Sequence, residues 1–395
     1  MGRQFLENIW PLLIIARFLG MFPCQRIWND DGTTELKPIN WKVQWSLYSC
    51  YYLVLIGSGC LVFGLTLFKS EETTADIMAC MKRTNGDDVV DMISSAIMML
   101  SMSVGLVFVH YVTFKMKHSL CDLSRQFKNT SSKISTSKPF WIVFGLQILT
   151  FLLSSCLQGI MIEECSDLTL PTILAYAMYC FIAFTISAYP LIIVFILHLE
   201  IASGLAYKVD QLNMHMSIEC KFTNTLLHST HNFIKVLEES KRCLSNCLFF
   251  VMIALSFEVL AMLYLLPASI INYANAELDH PLLIFVLEGT LFMFALYYTT
   301  LMWFFNARSQ NVADMVHRLK EDLQDVYVPS ENLMVIYEGQ EVTASFMKDR
   351  IVDKLNEFKG FDGKGYFVLG KSFLTNFLAF CGTYFVILLQ FKLSE

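Results

Sequence analysis

This sequence predicts an all-α membrane protein. It should have seven transmembrane helices, a cytoplasmic N-terminus, an extracellular C-terminus and a helical stem on the cytoplasmic side. Three observations predict it. Hydrophobic residues make up 55% of the 395 residues and charged residues only 16%, where soluble domains run at about 45–50% and about 25%. Seven continuous apolar stretches are each long enough to cross a hydrocarbon core of about 30 Å, which takes roughly 20 helical residues. Of the 29 lysines and arginines, 25 fall on one side of those stretches, and the positive-inside rule makes that side cytoplasmic.

The predicted spans run near 45–68, 89–114, 140–162, 172–197, 247–273, 282–305 and 366–391. They are unbroken apolar runs, so they are helices rather than the ten-residue alternations of a membrane barrel. Before them, residues 5–23 are apolar but interrupted by Glu7, Pro11 and Arg17, and no small-residue cleavage site follows. That pattern fits an amphipathic helix on the inner leaflet better than a signal peptide. The sequon at Asn129 falls on the cytoplasmic side and should stay unglycosylated. Cys80 and Cys165 fall in outer loops, where a disulfide is open to them. The other cysteines show no metal-binding spacing.

The long cytoplasmic connections carry their own helical periodicity. Ile201, Leu205, Val209 and Leu212 recur at helical spacing, as do Phe222, Leu226, Phe233 and Leu237. Val312, Met315, Val316, Leu319, Leu323 and Val326 form a third stripe, and Met347, Ile351, Leu355 and Phe358 a fourth. Each stripe needs a packing partner. Either helices four, five and six continue out of the membrane as a stem, or these are separate surface helices. No internal repeat supports a transporter built from duplicated halves.

Several functions are excluded by chemistry. A net charge of −6 without a basic reading motif argues against nucleic-acid binding. His110, His198 and Glu200 stand alone, so no catalytic constellation is visible and the chain is not expected to be an enzyme. Neither a cofactor nor a metal site is expected. Residues 365–372 read GYFVLGKS, which matches the phosphate-loop pattern. That loop requires a preceding buried strand and a soluble α/β domain. Here a membrane helix follows, so the glycines are expected to permit a bend where the stem enters the bilayer.

The last span carries the most specific pattern: Thr383-Tyr384, five apolar residues, then Gln390-Phe391. This resembles the C-terminal signature of insect gustatory receptors, relatives of the insect odorant receptors. Gly360-Phe361 through Leu374 and the stretch 11–23, with Arg17, Gly20, Phe22 and Pro23, resemble the same family. A departure lies at Gly370-Lys371-Ser372, where many members carry an acidic-basic-Ser triplet. The resemblance implies a homotetramer or heterotetramer in the plasma membrane of gustatory neurons, with the seventh helix of each subunit lining one cation pore. It also implies a domain plan. Residues 1–44 form a cytoplasmic or interfacial N-terminal segment. Residues 45–305 form a six-helix bundle with the ligand pocket, including the cytoplasmic extensions 198–245. Residues 306–365 are cytoplasmic anchor helices, and 366–395 are the pore helix and a short outer tail.

The residues bear on the pore independently. Thr383, Ile387, Gln390 and Phe391 share one helix face, with Tyr384 beside it. In a ring of subunits, an apolar constriction at Ile387 beside an amide at Gln390 suits a pore that closes by dewetting. Alternatively, Gln390 snorkels to the outer headgroups. Glu258 and Glu288 lie inside apolar spans, where a charge costs about 2.5–3.5 kcal/mol on insertion scales. They are expected to face the bundle interior, either as ligand contacts or as interhelical hydrogen-bond glue. Met262 shares the face of Glu258 near mid-depth, Phe285 and Phe292 share that of Glu288, and Tyr176, Tyr179 and Gln158 reach similar outer depths; the resemblance implies a tastant pocket here, and aromatic walls with few polar groups suit a small organic ligand. The resemblance implies bitter plant compounds as the ligand class, with sugars as the alternative. A heptahelical G-protein-coupled type of receptor would share the helix count with inverted topology, but the chain lacks its motifs in helices three and seven.

Overall fold

The computed structural model describes residues 10–18, 22–28, 34–40, most of 42–49, 115–127, 137–165, 170–219, 223–275, 281–328, 334–337 and 340–394. Nearly all of the first predicted span, the second span, Cys80 and Asn129 lie outside the described residues, as does the Cys165 side chain. The chain is mostly helical, as its composition predicts. In order come α1 (Trp10–Phe18), β1 (Cys24–Trp28), β2 (Thr34–Pro38), α2 (Lys117–Gln126), α3 (Ser137–Cys165), α4 (Leu170–Glu219) and α5 (Asn224–Asn275). Then follow α6 (Pro281–Asp325), β3 (Met334–Tyr337), β4 (Gln340–Thr343), α7 (Ala344–Glu357) and α8 (Lys371–Ser394). β1 pairs with β2 and β3 with β4, both antiparallel.

The three long helices run without a break from their apolar stretches into the stem. α4 has 50 residues, α5 has 52 and α6 has 45. At 1.5 Å per residue a helix of such length reaches roughly 70 Å, more than twice a hydrocarbon core. Among the described residues, 138–157, 188–217 and 224–267 are long and apolar enough to cross a membrane, with shorter apolar runs at 173–182 and 371–387.

The stripes find their partners inside one chain. Ile201, Leu205, Val209 and Leu212 of α4 are buried, as are Leu226, Phe233 and Leu237 of α5. Val312, Val316, Leu319 and Leu323 of α6 share a core with Met347, Ile351 and Leu355 of α7. The α6 stripe therefore holds the protomer's own stem together and is not left open to a second subunit. α7 starts on a Thr343 cap, whose hydroxyl accepts from the Phe346 amide at 3.3 Å. Its Lys348 donates to the carbonyls of Gln324 and Val326 at the end of α6, the cationic capping that a helix C-terminus favours.

The N-terminal segment docks on this frame. Leu13 and Ala16 of α1 are buried while Ile14, Ile15 and Phe18 are exposed, as an interfacial helix requires. Tyr189 of α4 donates to the Leu12 carbonyl at 2.8 Å. The hairpin β1–β2 lies on α2, where Arg125 pairs with Glu35.

Candidate functional site

The last helix is reached through a tight turn. Residues 361–370 fold back on themselves: Leu369 donates to the Phe361 carbonyl at 2.8 Å and Gly363 to that of Phe367 at 2.9 Å. A single bridge pairs Asp362 with Val368. Gly360, at φ 126°, makes the entry possible, in a region that L-residues rarely occupy. A Cβ there would also sit 3.2 Å from Val368 Cγ1. Gly360→Ala should cost about 1–3 kcal/mol and lower the thermal midpoint of the purified protein. Gly145→Ala, where an added Cβ meets nothing within 4 Å, is the matched control.

Each of the two helices beneath the turn grips it with a pair of side chains one helical turn apart. From α5, Lys241 Nζ lies 2.8 Å from Asp362 Oδ2, and Ser245 donates to Asp362 Oδ1 at 2.8 Å. The Ser245 hydroxyl oxygen in turn accepts from the Lys364 amide at 2.9 Å. Burial alone would raise the Asp362 carboxyl. The hydrogen bonds from Lys241 and Ser245 and the Lys241 charge outweigh it and hold the group below its usual range.

From α6, Asn306 accepts from the Gly370 amide at 2.9 Å, and Gln310 accepts from the Lys371 amide at 3.2 Å. The same Asn306 donates to the Met302 carbonyl at 2.9 Å, so both ends of its amide are engaged while its exposure is 2%. The first helical N–H groups of α8 have no cap of their own; α6 supplies it. Gly370 admits this close approach, since a Cβ there would fall 2.5 Å from Gln310 Oε1. This also disposes of the phosphate-loop match. Residues 366–369 form no strand, and the Gly370 and Lys371 amides are already engaged by Asn306 and Gln310.

The predicted seventh span begins at 366, but the helix starts at Lys371 because 366–370 belong to the turn. Phe373, Leu374 and Phe377 rest against the core, and Cys381 is buried. From Phe380 on, α8 leaves part of its surface uncovered by its own protomer: Phe380 is 58% exposed, Val386 51% and Ile387 42%. Thr383, Tyr384 and Gln390 are exposed too, whereas the Phe391 side chain lies outside the described residues. Thr383 returns its hydroxyl to the Ala379 carbonyl at 3.0 Å, which removes a bare donor from the helix surface. A helix this apolar on its free side must be covered by lipid or by protein.

The bundle residues divide. Glu258 and Met262 of α5 are buried, Glu258 within electrostatic reach of Tyr298. Glu288 and Tyr179 are half-buried. Phe292 is 56% exposed. Phe294, Tyr297 and Tyr298 hold the inward face of α6. Gln158, Tyr176 and Phe285 sit on α3, α4 and α6, with side chains outside the described residues.

Gln147 and Tyr297 carry no distinguishing pattern in the sequence. Both are buried, and neither the Gln147 amide nor the Tyr297 hydroxyl has a hydrogen-bond partner among the described residues. Phe151, one turn from Gln147 on α3, contacts the Tyr297 ring at 6.2 Å. Buried polar atoms of this kind are the usual anchors for water or a ligand. His198, which stood alone in the sequence, packs between the rings of Phe305 and Phe361 and lies 3.0 Å from Ser309 Oγ. It ties α4, α6 and the turn together. Among the described residues no three His, Cys, Asp or Glu side chains are placed to hold a metal ion.

Long helices are gathered into a stem, and one last helix is clipped to them through the turn. Two solved structures share this fold across nearly the whole chain. The insect olfactory receptor OR5 from Machilis hrabei superposes with a TM-score of 0.61 at 16% identity, covering 97% of this chain and 98% of that one. The same receptor in complex with eugenol gives 0.56 at 15% identity, covering 98% of each. At such identity the likeness is one of fold. No protein-family model matches the sequence, and no curated protein does.

Proposed function

We propose that this chain is a subunit of a ligand-gated, non-selective cation channel of the insect chemoreceptor kind, a gustatory receptor opened by a small-molecule tastant. The observation that carries the proposal is the full-length fold likeness to an insect olfactory receptor. The Thr383-Tyr384…Gln390-Phe391 pattern favours a gustatory role. Its residues up to Gln390 sit on the stretch of α8 that the protomer leaves partly uncovered, which suits a helix that meets its copies around a tetrameric pore. Glu258, Glu288, Gln147 and Tyr297 are the polar groups proposed for the ligand region.

The deciding experiment is current recording in cells expressing only this chain, against bitter compounds, sugars and eugenol, the compound bound in the OR5 complex. Ligand-evoked cation current is expected. Its absence across the panel, with the protein at the cell surface, removes the homomeric channel. Within the ligand region, Glu288→Gln should preserve surface expression and move the dose–response midpoint about tenfold, the effect of about 1.4 kcal/mol. Collapsed expression would mark Glu288 as interhelical glue instead.

The inverted heptahelical receptor is separated by topology. With seven crossings and 25 of 29 basic residues on one side, the N-terminus is proposed to be cytoplasmic. An N-terminal tag should be unreachable by antibody in intact cells, and Asn129→Gln should leave the gel mobility unchanged. Surface labelling of the tag would reverse the orientation.

A further inference from the structure

Where β1, α2 and α5 meet, the chain gathers thiols. Cys24 of β1 and Cys121 of α2 are 97 residues apart in sequence, yet their Sγ atoms lie 3.7 Å apart and both side chains are buried. Cys24 Sγ also lies 3.6 Å from the Lys117 carbonyl oxygen, which fixes its direction. A disulfide needs an S–S distance of about 2.05 Å, so bond formation asks for a small approach of two elements already in contact. Cys243 on α5 is a third thiol close enough to influence Cys24.

The two thiols differ in kind. The hydrogen bond between the two thiols, helped by the Arg125 charge and opposed by burial, Asp122 and Glu35, holds the Cys121 thiol below its ordinary range. The same bond, together with burial, pushes Cys24 up. Arg125 is kept in place by Glu35 of β2 and by Asp122. A depressed thiol is the mark of a reactive cysteine, and a second thiol in contact is the mark of a resolving one. Both thiols are buried, so a small oxidant reaches them when the hairpin, held to α2 in part by the Arg125–Glu35 pair, opens locally.

We propose that Cys24 and Cys121 are a redox modification site, a dithiol that hydrogen peroxide converts to a reversible disulfide fastening the N-terminal hairpin to α2. The Cys121 thiolate attacks one peroxide oxygen; the O–O bond breaks, and the departing hydroxide takes up a proton as water. Cys121 is left as a sulfenic acid. The Cys24 sulfur then attacks that sulfur, the S–O bond breaks, and the hydroxide leaves with the Cys24 proton as a second water. Two electrons have passed from the thiol pair to one peroxide. A dithiol reductant reverses the change by exchange through a mixed disulfide. In a reducing cytoplasm the linked form is transient, as suits a sensor.

The test uses the full chain in lipid nanodiscs and needs no channel ligand, so it stands or falls apart from the proposed function. The protein is exposed to hydrogen peroxide, blocked with N-ethylmaleimide, digested without reductant and mapped by mass spectrometry. The expected product is a Cys24–Cys121 linked peptide, two hydrogens lighter than its parts, lost on dithiothreitol treatment and retained in Cys243→Ser. Hydrogen exchange across residues 24–38 should slow about tenfold in the linked protein, since local opening of the hairpin is then tethered. Cys121→Ser should leave Cys24 unoxidised. The wild-type map decides the matter even if that variant misfolds. Both thiols alkylated after peroxide, Cys121 carried to the sulfinic acid unpaired, or Cys24 linked to Cys243 instead would each overturn the assignment.

Discussion

Asn306→Leu is expected to break the mechanical link between α6 and α8 while leaving the rest of the protein folded. Leucine has nearly the shape of asparagine, so packing survives. What disappears is the acceptor for the Gly370 amide, 2.9 Å away in a site where Asn306 itself is 2% exposed. A buried donor left unpaired costs about 1–3 kcal/mol. Because that donor is at the start of α8, the loss falls on the joint and not on the stem core. A ligand that shifts α6 can move α8 only through contacts that differ between the two states. With the clip gone, ligand-evoked current at saturating dose should fall severalfold at unchanged surface expression, while the midpoint for binding moves little. Gln310→Leu removes the neighbouring acceptor, on an exposed amide, and should have the smaller effect. Equal currents in Asn306→Leu and the parent would mean that α6 does not drive α8 through this joint.

The long helices were legible because their signals are local and strong. Continuous apolar runs mark α3 to α6 and α8 to within a few residues, and 3.6-residue periodicity marks the stem extensions of α4, α5 and α6. The partner of each stripe was not legible. Leu319 and Leu323 suit a subunit interface as well as they suit Met347, Ile351 and Leu355 of the same chain, and periodicity carries no information about which surface is opposite. The hairpins β1–β2 and β3–β4 escaped for a different reason. Their strands of four or five residues, such as Cys24–Trp28 and Gln340–Thr343, are too short for alternation to rise above noise. The joint at 361–370 was foreseen as a bend from its glycines. Its clamps were not, since the caps come from Asn306, 64 residues before Gly370, and from Ser245, 117 before Asp362. Helix-capping rules look at neighbouring residues, and here the cap comes from another helix.

The largest change in function is expected from Ile387→Ser. Ile387 is 42% exposed on the part of α8 that its own protomer leaves partly uncovered, with Thr383, Tyr384 and Gln390 exposed around it. If copies of α8 surround a pore, isoleucines at this level form an apolar ring that sheds water when the helices draw together, and no plug or charged latch is required. Serine wets that ring. Basal current without ligand should rise well above that of the parent, and the further increase on adding ligand should shrink accordingly. Gln390→Glu makes a different change at the same end. It adds a carboxylate from every subunit beside the constriction without wetting it, so leak should stay low while the reversal potential shifts toward greater divalent permeability. Recording both variants under bi-ionic conditions separates the alternatives. Ile387→Ser that is silent at rest yet opens with ligand moves the gate to another level of α8. Reversal potentials unchanged in Gln390→Glu would assign Gln390 to the outer headgroups, where a long amide at the end of a span can reach water without touching the ion path.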